Sequence, residues 1–220
     1  MNGYEFNFAE CSLTARASGA LWWADQRVLC VSDLHLGKSD RIARRAGLML
    51  PPYETRDTLA RLEAEIDALL PDTVICLGDS FDDLAAADSL DEDETLWLTR
   101  LQAGRRWIWI EGNHDPGPVD FGGTHLAELT MYPLTFRHIA TKTNSAEISG
   151  HYHPKASLNV RGRTITRKCF LQDENRIILP AFGTYTGGLH SHSAALSQLM
   201  TTSARAFLLG QKVQNIPMPR

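Results

Sequence analysis

The stretch Arg27-Val28-Leu29-Cys30-Val31-Ser32-Asp33-Leu34-His35 decides the fold, because an apolar run passes directly into a polar loop. Such a short apolar run is typical of a strand that is buried on both faces. Asp33 and His35 alternate with Leu34, so on an extended loop both side chains would point to the same side. The stretch therefore predicts a buried strand whose C-terminal loop carries a pair of metal ligands.

Two other stretches repeat this pattern. Thr73 to Leu77 is followed by Gly78-Asp79, and Trp107 to Ile110 is followed by Gly112-Asn113-His114-Asp115. Apolar residues at helical spacing lie between the three runs: Leu59, Leu62, Ile66, Leu69 and Leu70 in the first interval, and Leu96, Leu98 and Leu101 in the second. This alternation predicts parallel strands joined by helices, with the polar residues gathered at the carboxyl ends of the strands.

The pattern changes after about residue 130, where short strands separated by turns predict a second, more antiparallel sheet packed face to face on the first. The predicted strands are Leu134 to Ile139, Ala146 to Ser149, Ser157 to Val160, Thr164 to Leu171, Arg176 to Leu179 and Ala204 to Leu209. No linker rich in Pro, Gly or Ser interrupts the chain. We therefore expect one α/β domain over residues 1–220.

The composition is that of an ordinary globular protein, with 43% hydrophobic and 22% charged residues. The net charge of −4 gives no global sign of a nucleic-acid binder, so any attraction to a polyanion must come from local patches. Four scattered cysteines favour reduced, buried thiols. An acidic N-terminal region and the lack of a long apolar run argue against a signal peptide or a membrane span, so the expected location is the cytoplasm.

Two later blocks add imidazole ligands, since His138 ends an apolar run and Gly150-His151-Tyr152-His153 repeats the alternating spacing. The five blocks together supply carboxylate, amide and imidazole donors without a thiolate, which suits Mn²⁺, Fe or Zn²⁺. An isolated block of this kind is usually a solvated loop. Five of them in this order, three of which close predicted strands, favour a site for two metal ions that clamp a phosphate.

These motifs resemble the pattern of the calcineurin-like metallophosphoesterases: Asp-x-His, Gly-Asp, Gly-Asn-His-Asp, a later His and Gly-His-x-His. The resemblance covers Arg27 to Lys155 and implies a four-layer αββα sandwich of two mixed β-sheets flanked by helices. It implies that Asp33, His35, Asp79 and His153 hold one metal and that Asp79, Asn113, His138 and His151 hold the other. His138 lacks the glycine that often follows it in the family.

The same resemblance implies catalytic roles for His114 and Asp115. His114 would contact the phosphate and assist the leaving group, and Asp115 would orient the ring of His114. We expect a hydroxide that bridges the metals to attack phosphorus in line.

A basic segment follows the first motif, with Lys38, Arg41, Arg44 and Arg45 between Gly37 and Gly47. It is either a solvated helix face or a phosphate-binding surface, and its adjacency to Asp33 and His35 favours the second interpretation for Lys38, Arg41 and Arg45.

The residues around the motifs are similar to a narrower group, the bacterial ligase-associated DNA-damage-response metallophosphoesterases. The similarity lies in Asp-Leu-His-Leu-Gly-Lys, Arg-Arg-Ala-Gly, His-Tyr-His-Pro and the glycine-rich loop from Pro180 to Gly188. It implies a manganese-dependent phosphodiesterase that cuts single-stranded DNA internally during DNA repair, with a functional link to a DNA ligase and a helicase.

Three alternatives remain open: a small-molecule phosphoesterase that acts on nucleotides or cyclic nucleotides, a protein phosphatase, and a catalytically silent scaffold. No cap insertion interrupts the motifs, which favours an open site, and no ligand is missing. His125, His190 and His192 are interpreted as surface residues.

Overall fold

The first sheet contains an N-terminal hairpin, the three predicted strands that lead into the motif loops, and two further strands. The computed structural model describes residues 3–117, 120–141 and 146–220. Seven strands pair in sequence order, with β1 to β4 antiparallel and β4 to β7 parallel. They are β1 Gly3–Phe8, β2 Cys11–Arg16, β3 Leu21–Trp23, β4 Val28–Val31, β5 Thr73–Leu77, β6 Arg106–Ile110 and β7 Thr124–Leu126.

Four helices lie in the connections between the parallel strands β4, β5 and β6: α1 Lys38–Ala46, α2 Glu54–Leu69, α3 Leu84–Asp88 and α4 Glu92–Gln102. A short 3₁₀ helix, Ala24–Gln26, precedes β4. A capping box formed by Asp91 and Glu94 starts α4 by pairing two backbone N–H groups that the helix itself cannot satisfy. Apolar side chains of α2 and α4 pack on the outer face of the sheet, against Leu29, Val74 and Trp107.

The second sheet is mixed and has the strand order β15-β14-β12-β13-β10-β9-β8, with β11 paired to β12. Its strands are β8 Glu128–Met131, β9 Leu134–Arg137, β10 Glu147–Ser149, β11 Lys155–Val160, β12 Arg163–Gln172, β13 Arg176–Ile178, β14 Arg205–Leu208 and β15 Gln214–Pro217. β10 runs parallel to both β9 and β13, and the other pairs are antiparallel.

The two sheets pack face to face around the largest buried cluster, in which Ile75 and Ile108 of the first sheet meet Phe136 and Phe170 of the second. A fourth layer is formed by α5 Ala194–Leu199, whose Leu196 packs on the outer face of the second sheet. The molecule is therefore the four-layer αββα sandwich that the motifs imply, with a thin layer on one side.

The four cysteines are buried and free, as their spacing predicts. Among the described residues, no helix combines the length and the apolar character needed to cross a bilayer.

The sequence-based strands are confirmed with shifts of one or two residues at their ends. Arg27, for example, adopts a left-handed conformation with φ 50°, so β4 begins one residue later than expected. The antiparallel extension β1 to β3 was not among the predicted strands. The predicted apolar face of α2 is wrong at Leu70, which follows the helix and is 59% exposed. In α4, Leu96 is 60% exposed, whereas Leu98 and Leu101 are buried.

This difference gives a matched pair of substitutions within one helix. Leu98→Ala removes a fully buried side chain and should lower the free energy of unfolding by about 2–5 kcal/mol, because a cavity remains. Leu96→Ala should change it by no more than about 0.5 kcal/mol. Urea unfolding of both variants checks the assignment, and equal losses would contradict the position of α4.

Candidate metal centre

The candidate ligands meet where the loops after β4, β5, β6 and β10 converge. Backbone hydrogen bonds join the first two loops: Asp33 N–H donates to Gly78 O at 3.2 Å and His35 N–H to Asp79 O at 2.9 Å. The loop after β10 is tied to the first by the N–H of His151, which donates to Asp33 Oδ2 at 3.1 Å. All seven predicted ligands lie in or beside this region.

The first donor cluster contains Asp33, His35 and His153, whose donor atoms all lie within 4.8 Å of one another. His153 Nε2 is 3.1 Å from Asp33 Oδ1 and 3.4 Å from His35 Nε2. Burial raises the pKa of Asp33, but the hydrogen bond and charge of His153 outweigh this effect and lower it. The carboxylate is therefore ionised and ready to act as a ligand.

The second donor cluster contains Asp79, His138 and His151. His138 Nε2 is 3.4 Å from Asp79 Oδ2, 3.2 Å from His151 Nδ1 and 3.0 Å from Asn113 Oδ1. The structure thus places His138 among its predicted partners, although the glycine that often follows it is missing.

Asp79 lies between the two clusters. Its Oδ2 is 3.4 Å from His138 Nε2 and 4.0 Å from His35 Nε2, so one carboxylate faces both groups of donors. Burial raises the pKa of Asp79, but the hydrogen bonds and charges of His138 and His114 together outweigh it and lower the pKa to about 2. An ionised carboxylate in this position can bridge two cations.

The donor spacing fits metal binding. Ligand atoms about 2.1 Å from one ion lie roughly 3.0–3.4 Å apart in octahedral or tetrahedral geometry. The donor contacts of 3.0–3.4 Å made by His138 and His153 fall in this range.

Hydrogen bonds behind two of the imidazoles fix which nitrogen faces the centre. His138 Nδ1 donates to Leu77 O at 2.8 Å, and His35 Nδ1 lies 2.6 Å from Asp82 Oδ1. Each contact places a proton on Nδ1 and turns Nε2 toward the centre. Asp82 was not predicted from the sequence, but its place three residues after Asp79, in the same loop, was a usable signal.

The basic residues of α1 bind the acidic residues of the loop after β5. Lys38 Nζ lies 3.2 Å from Asp82 Oδ1, Arg41 Nη1 donates to Asp82 Oδ2 at 2.7 Å, and Arg45 Nη2 donates to Asp83 at 3.3 Å. Lys38 and Arg41 therefore act on the carboxylate that supports His35. Their role in substrate binding, and that of Arg45, stays a prediction.

A third group of donors, His35, Asp82 and His114, also lies within 4.8 Å. Because Asp82 is already paired with Lys38 and Arg41, its charge is neutralised. We therefore interpret Asp82 as support for the first cluster and not as a ligand of a further ion.

The ligand backbone differs from the extended loop expected from the alternating pattern. Five candidate ligands adopt left-handed conformations: Asp33 (φ 53°), His35 (φ 47°), Asp79 (φ 47°), His151 (φ 71°) and His153 (φ 46°). This region is sparsely populated by residues other than glycine and costs on the order of 1 kcal/mol per residue. Such strain is typical of functional sites. The alternating ligands of each pair still lie close together, but because their backbones are left-handed and not because the loop is extended.

Gly78 illustrates how tightly the loops are packed. It has φ 75°, and a Cβ atom there would lie 2.6 Å from the ring of His138. A larger residue would displace a candidate ligand.

Asp115 has a different role from the one expected. Its carboxylate accepts four backbone N–H groups: Asp79 (2.9 Å), Ser80 (2.7 Å), Phe81 (3.2 Å) and Gly112 (3.1 Å). Burial, together with the charge of Asp79, raises the pKa of Asp115 to about 6 despite these bonds. Asp115 therefore shapes the loop that carries Asp79.

The ring of His114 is oriented by another group, the backbone carbonyl of Asp82, which accepts from Nδ1 at 2.7 Å. This contact corrects the orienting role expected for Asp115. Because a carbonyl can only accept, Nδ1 carries the proton and Nε2 is the nitrogen that can exchange one. The half-buried ring lies edge-on to His35, with ring centroids 5.1 Å apart.

The remaining histidines lie outside the clusters. His190 and His192 are exposed and stack on each other, as expected of surface residues. His125 is partly buried and stacks on Trp109, so its interpretation as a surface residue holds only in part.

Comparisons with known proteins agree with this fold. The crystal structure of Pseudomonas putida nuclease MPE superposes with a TM-score of 0.79 at 27% sequence identity and covers 98% of this chain and 100% of its own. The Escherichia coli phosphoesterase Yfce gives a TM-score of 0.41 at 11% identity, over 87% of this chain and 99% of its own, which is too low to carry an argument. A search of curated protein sequences gives no match.

The family model for calcineurin-like phosphoesterases matches residues 26–193 and spans every candidate ligand. This range also contains β4 to β13 and the two donor clusters. The chain therefore belongs to the calcineurin-like phosphoesterases, a family of hydrolases that use divalent metals.

Proposed function

We propose that the chain is a metal-dependent phosphodiesterase that cleaves single-stranded DNA internally and acts in DNA repair. The observation that carries this proposal is the pair of three-donor clusters with the Asp79 carboxylate between them. The likeness to a nuclease over 98% of the chain supports a nucleic acid as the substrate. The narrower family resemblance supports manganese and the single-stranded substrate.

The proposed metal ligands are those expected from the sequence: Asp33, His35, Asp79 and His153 for one ion, and Asp79, Asn113, His138 and His151 for the other. Carboxylate, amide and imidazole donors suit Mn²⁺ and also accommodate Fe or Zn²⁺. When bound, two divalent ions supply an activated water nucleophile and neutralise the charge that develops on the phosphate oxygens.

The residues of the chain have distinct tasks in this proposal. The low pKa values of Asp33 and Asp79 keep both carboxylates charged at neutral pH. Asp82 holds His35 in the tautomer that presents Nε2. His114 lies at the rim with Nε2 available, so its protonated form can donate to the departing alkoxide oxygen.

A functional link to a DNA ligase and a helicase, and a cytoplasmic location, belong to the same proposal. They rest on the narrower family resemblance and on the absence of a signal-peptide pattern in the sequence.

A second candidate function is hydrolysis of a small phosphoester. An open cleft of about 350 Å³ adjoins the second cluster and is lined by Asn113, Pro116, Arg137, His138 and Ile139, among others. Its volume lies within the range of small-molecule sites. The net charge of −4 also favours this alternative over a polyanion.

A substrate comparison separates the two functions. Metal-depleted protein should be reloaded with Mn²⁺, Mg²⁺ or Zn²⁺ and assayed on single-stranded DNA, duplex DNA, RNA, cyclic nucleotides and a chromogenic diester. We expect Mn²⁺-dependent cleavage of a circular single-stranded DNA, which an enzyme acting only on ends cannot cut. Cleavage of cyclic nucleotides or the diester without any DNA cleavage would favour the small-molecule function.

Metal binding should be stoichiometric and stabilising. We expect two Mn²⁺ ions per chain by calorimetric titration, and stabilisation by about 2.7 kcal/mol per ion at a free Mn²⁺ concentration one hundred times Kd. His138→Ala removes the contact to Asp79 and should leave one tightly bound ion. His190→Ala, at an exposed position, should keep two. Unchanged stoichiometry in the His138 variant would remove His138 from the ligand set.

Substitution of His114 and substitution of Asp115 should have different effects. His114→Ala should keep both metals and the fold but lose roughly 10²–10⁴-fold in kcat, because a proton donor is lost. Asp115→Ala leaves four backbone N–H groups without their acceptor, so it should lower the free energy of unfolding by at least about 2 kcal/mol and weaken metal binding.

Asp120→Ala, at an exposed position nearby, is the control for Asp115. Metal titration, urea unfolding and kcat measured on the three variants check the assignment. Metal loss in the His114 variant would assign that ring to the coordination shell instead.

A further inference from the structure

An aromatic pair, with one exposed and one partly buried ring, lies beside the ligand loops. The rings of Tyr53 and Tyr185 have centroids 5.5 Å apart and are tilted by 57°. Tyr53 is 52% exposed, and the hydroxyl of Tyr185 lies 3.4 Å from Pro51 O. Neither ring is part of a buried apolar cluster of the described residues, so packing of the core does not account for the pair.

Tyr185 belongs to a segment that connects both ligand loops of the first cluster. At one end Phe182 N–H donates to Ser32 O at 2.8 Å and Gly183 N–H to Asp33 O at 3.0 Å. At the other end Leu189 N–H donates to Tyr152 O at 3.1 Å, between His151 and His153. Tyr185 lies midway, so its backbone is fixed relative to the candidate metal centre.

The backbone of Tyr185 is strained. Its φ of 60° is left-handed, which is unfavourable for a bulky residue and occurs where the surroundings enforce it. The enforcing contacts are on its neighbours. Arg61 Nη2 donates to Thr184 Oγ1 at 2.8 Å, and the partly buried ammonium of Lys168 donates to Gly183 O at 3.0 Å.

Tyr53 is attached to a different part of the ligand framework. It directly precedes α2, whose first residues bind the loop that follows His35. Glu54 Oε1 accepts from Ser39 N–H at 2.8 Å, and Thr55 Oγ1 accepts from Gly37 N–H at 3.0 Å. The two rings are thus in contact, and each is attached to a different part of the ligand framework.

The connection that leads to Tyr53 is also apolar and exposed, since Leu48 and Met49 are 63% and 89% exposed. Contiguous exposed apolar surface commonly marks a binding site. The nearby cations of α1 are largely neutralised, because Lys38 and Arg41 bind Asp82 and Arg44 and Arg45 bind Asp83. Phosphate contacts alone therefore leave a bound strand weakly held.

We propose that Tyr53 and Tyr185 form a base-stacking platform that holds one or two nucleobases of a single strand beside the metal centre. The proposal rests on the proposed nuclease function and names the residues that make a strand, and not a small ester, the preferred substrate. Stacking on aromatic faces accepts every base, so the platform provides affinity without sequence preference. A double strand cannot use it, because its bases are already stacked.

The test compares a strand with an ester that has no base. Tyr53→Ala and Tyr185→Asn remove the rings, and asparagine tolerates the left-handed backbone of position 185. Each variant should weaken binding of a fluorescent single-stranded oligonucleotide, and raise its KM, by at least about fivefold. The kcat/KM for a chromogenic diester should stay within about twofold of wild type.

Abasic substitution identifies stacking as the cause. In a set of oligonucleotides that each carry one abasic site, those with the site at one or two adjacent positions should bind wild type less tightly. The loss should be similar to that caused by the tyrosine variants. The Tyr185→Asn variant should be insensitive at those positions, because the interaction is already lost. Additive losses from the abasic site and the Tyr185 variant would overturn the proposal.

Matched variants complete the experiment. Tyr185→Phe keeps the ring and should bind the oligonucleotide like wild type. Tyr132→Ala removes a ring that is 93% exposed in the turn between β8 and β9 and should have no effect. If Tyr185→Asn lowers the melting temperature, Tyr53→Ala provides the independent test.

The outcomes distinguish this proposal from the proposed function. Wild-type oligonucleotide affinity in both tyrosine variants would overturn the stacking platform alone and leave a DNA-cleaving enzyme intact. A wild-type protein that hydrolyses the diester but neither binds nor cleaves oligonucleotides would overturn the nuclease function, and the platform with it.

Discussion

The convergence of four backbone N–H groups on the buried carboxylate of Asp115 is the constraint on which the candidate centre depends. Three of the donors belong to the loop after β5, and the fourth is Gly112 after β6. The parallel register of β5 and β6 brings these two loops together at one edge of the sheet. Asp115 then fixes the curvature of the first loop, and with it the position of Asp79 between the two donor clusters.

A second layer of contacts sets the chemistry of the ligands. Leu77 O and Asp82 each bind the Nδ1 of one histidine, so the nitrogens that face the centre are defined before any ion arrives. Lys38 and Arg41 in turn hold Asp82. The basic helix that follows the first motif thus contributes to the metal centre through Asp82, whatever it contributes to substrate binding.

Much of the architecture was predictable because it depends on patterns of short range. Apolar runs ending in Asp33, Asp79 and Asn113 indicated three parallel strands with a polar edge, and the structure contains them. The antiparallel strands β1 to β3 were missed, although the alternation of Tyr4, Phe6 and Phe8 with polar residues in β1 was a usable signal. The exposure of Leu96 agrees with helical spacing, since Leu98 and Leu101 are three residues apart and share a face, whereas Leu96 and Leu98 are two apart and do not.

The site was predictable in its residue types but not in its contacts. Which nitrogen each histidine presents, and which group orients His114, depend on hydrogen bonds between residues more than 30 positions apart. Asp115 was expected to orient its sequence neighbour His114. In the fold its carboxylate binds backbone N–H groups instead.

The left-handed conformations of five candidate ligands place stability and activity in opposition at the same positions. Glycine would relieve the backbone there at Asp33, His35, Asp79, His151 and His153, but it would remove the donor in each case. A lineage that no longer needed the centre could therefore become more robust by losing it. Carboxylates and imidazoles are nevertheless present at these strained positions. Keeping the donor side chains has therefore outweighed relief of the backbone strain.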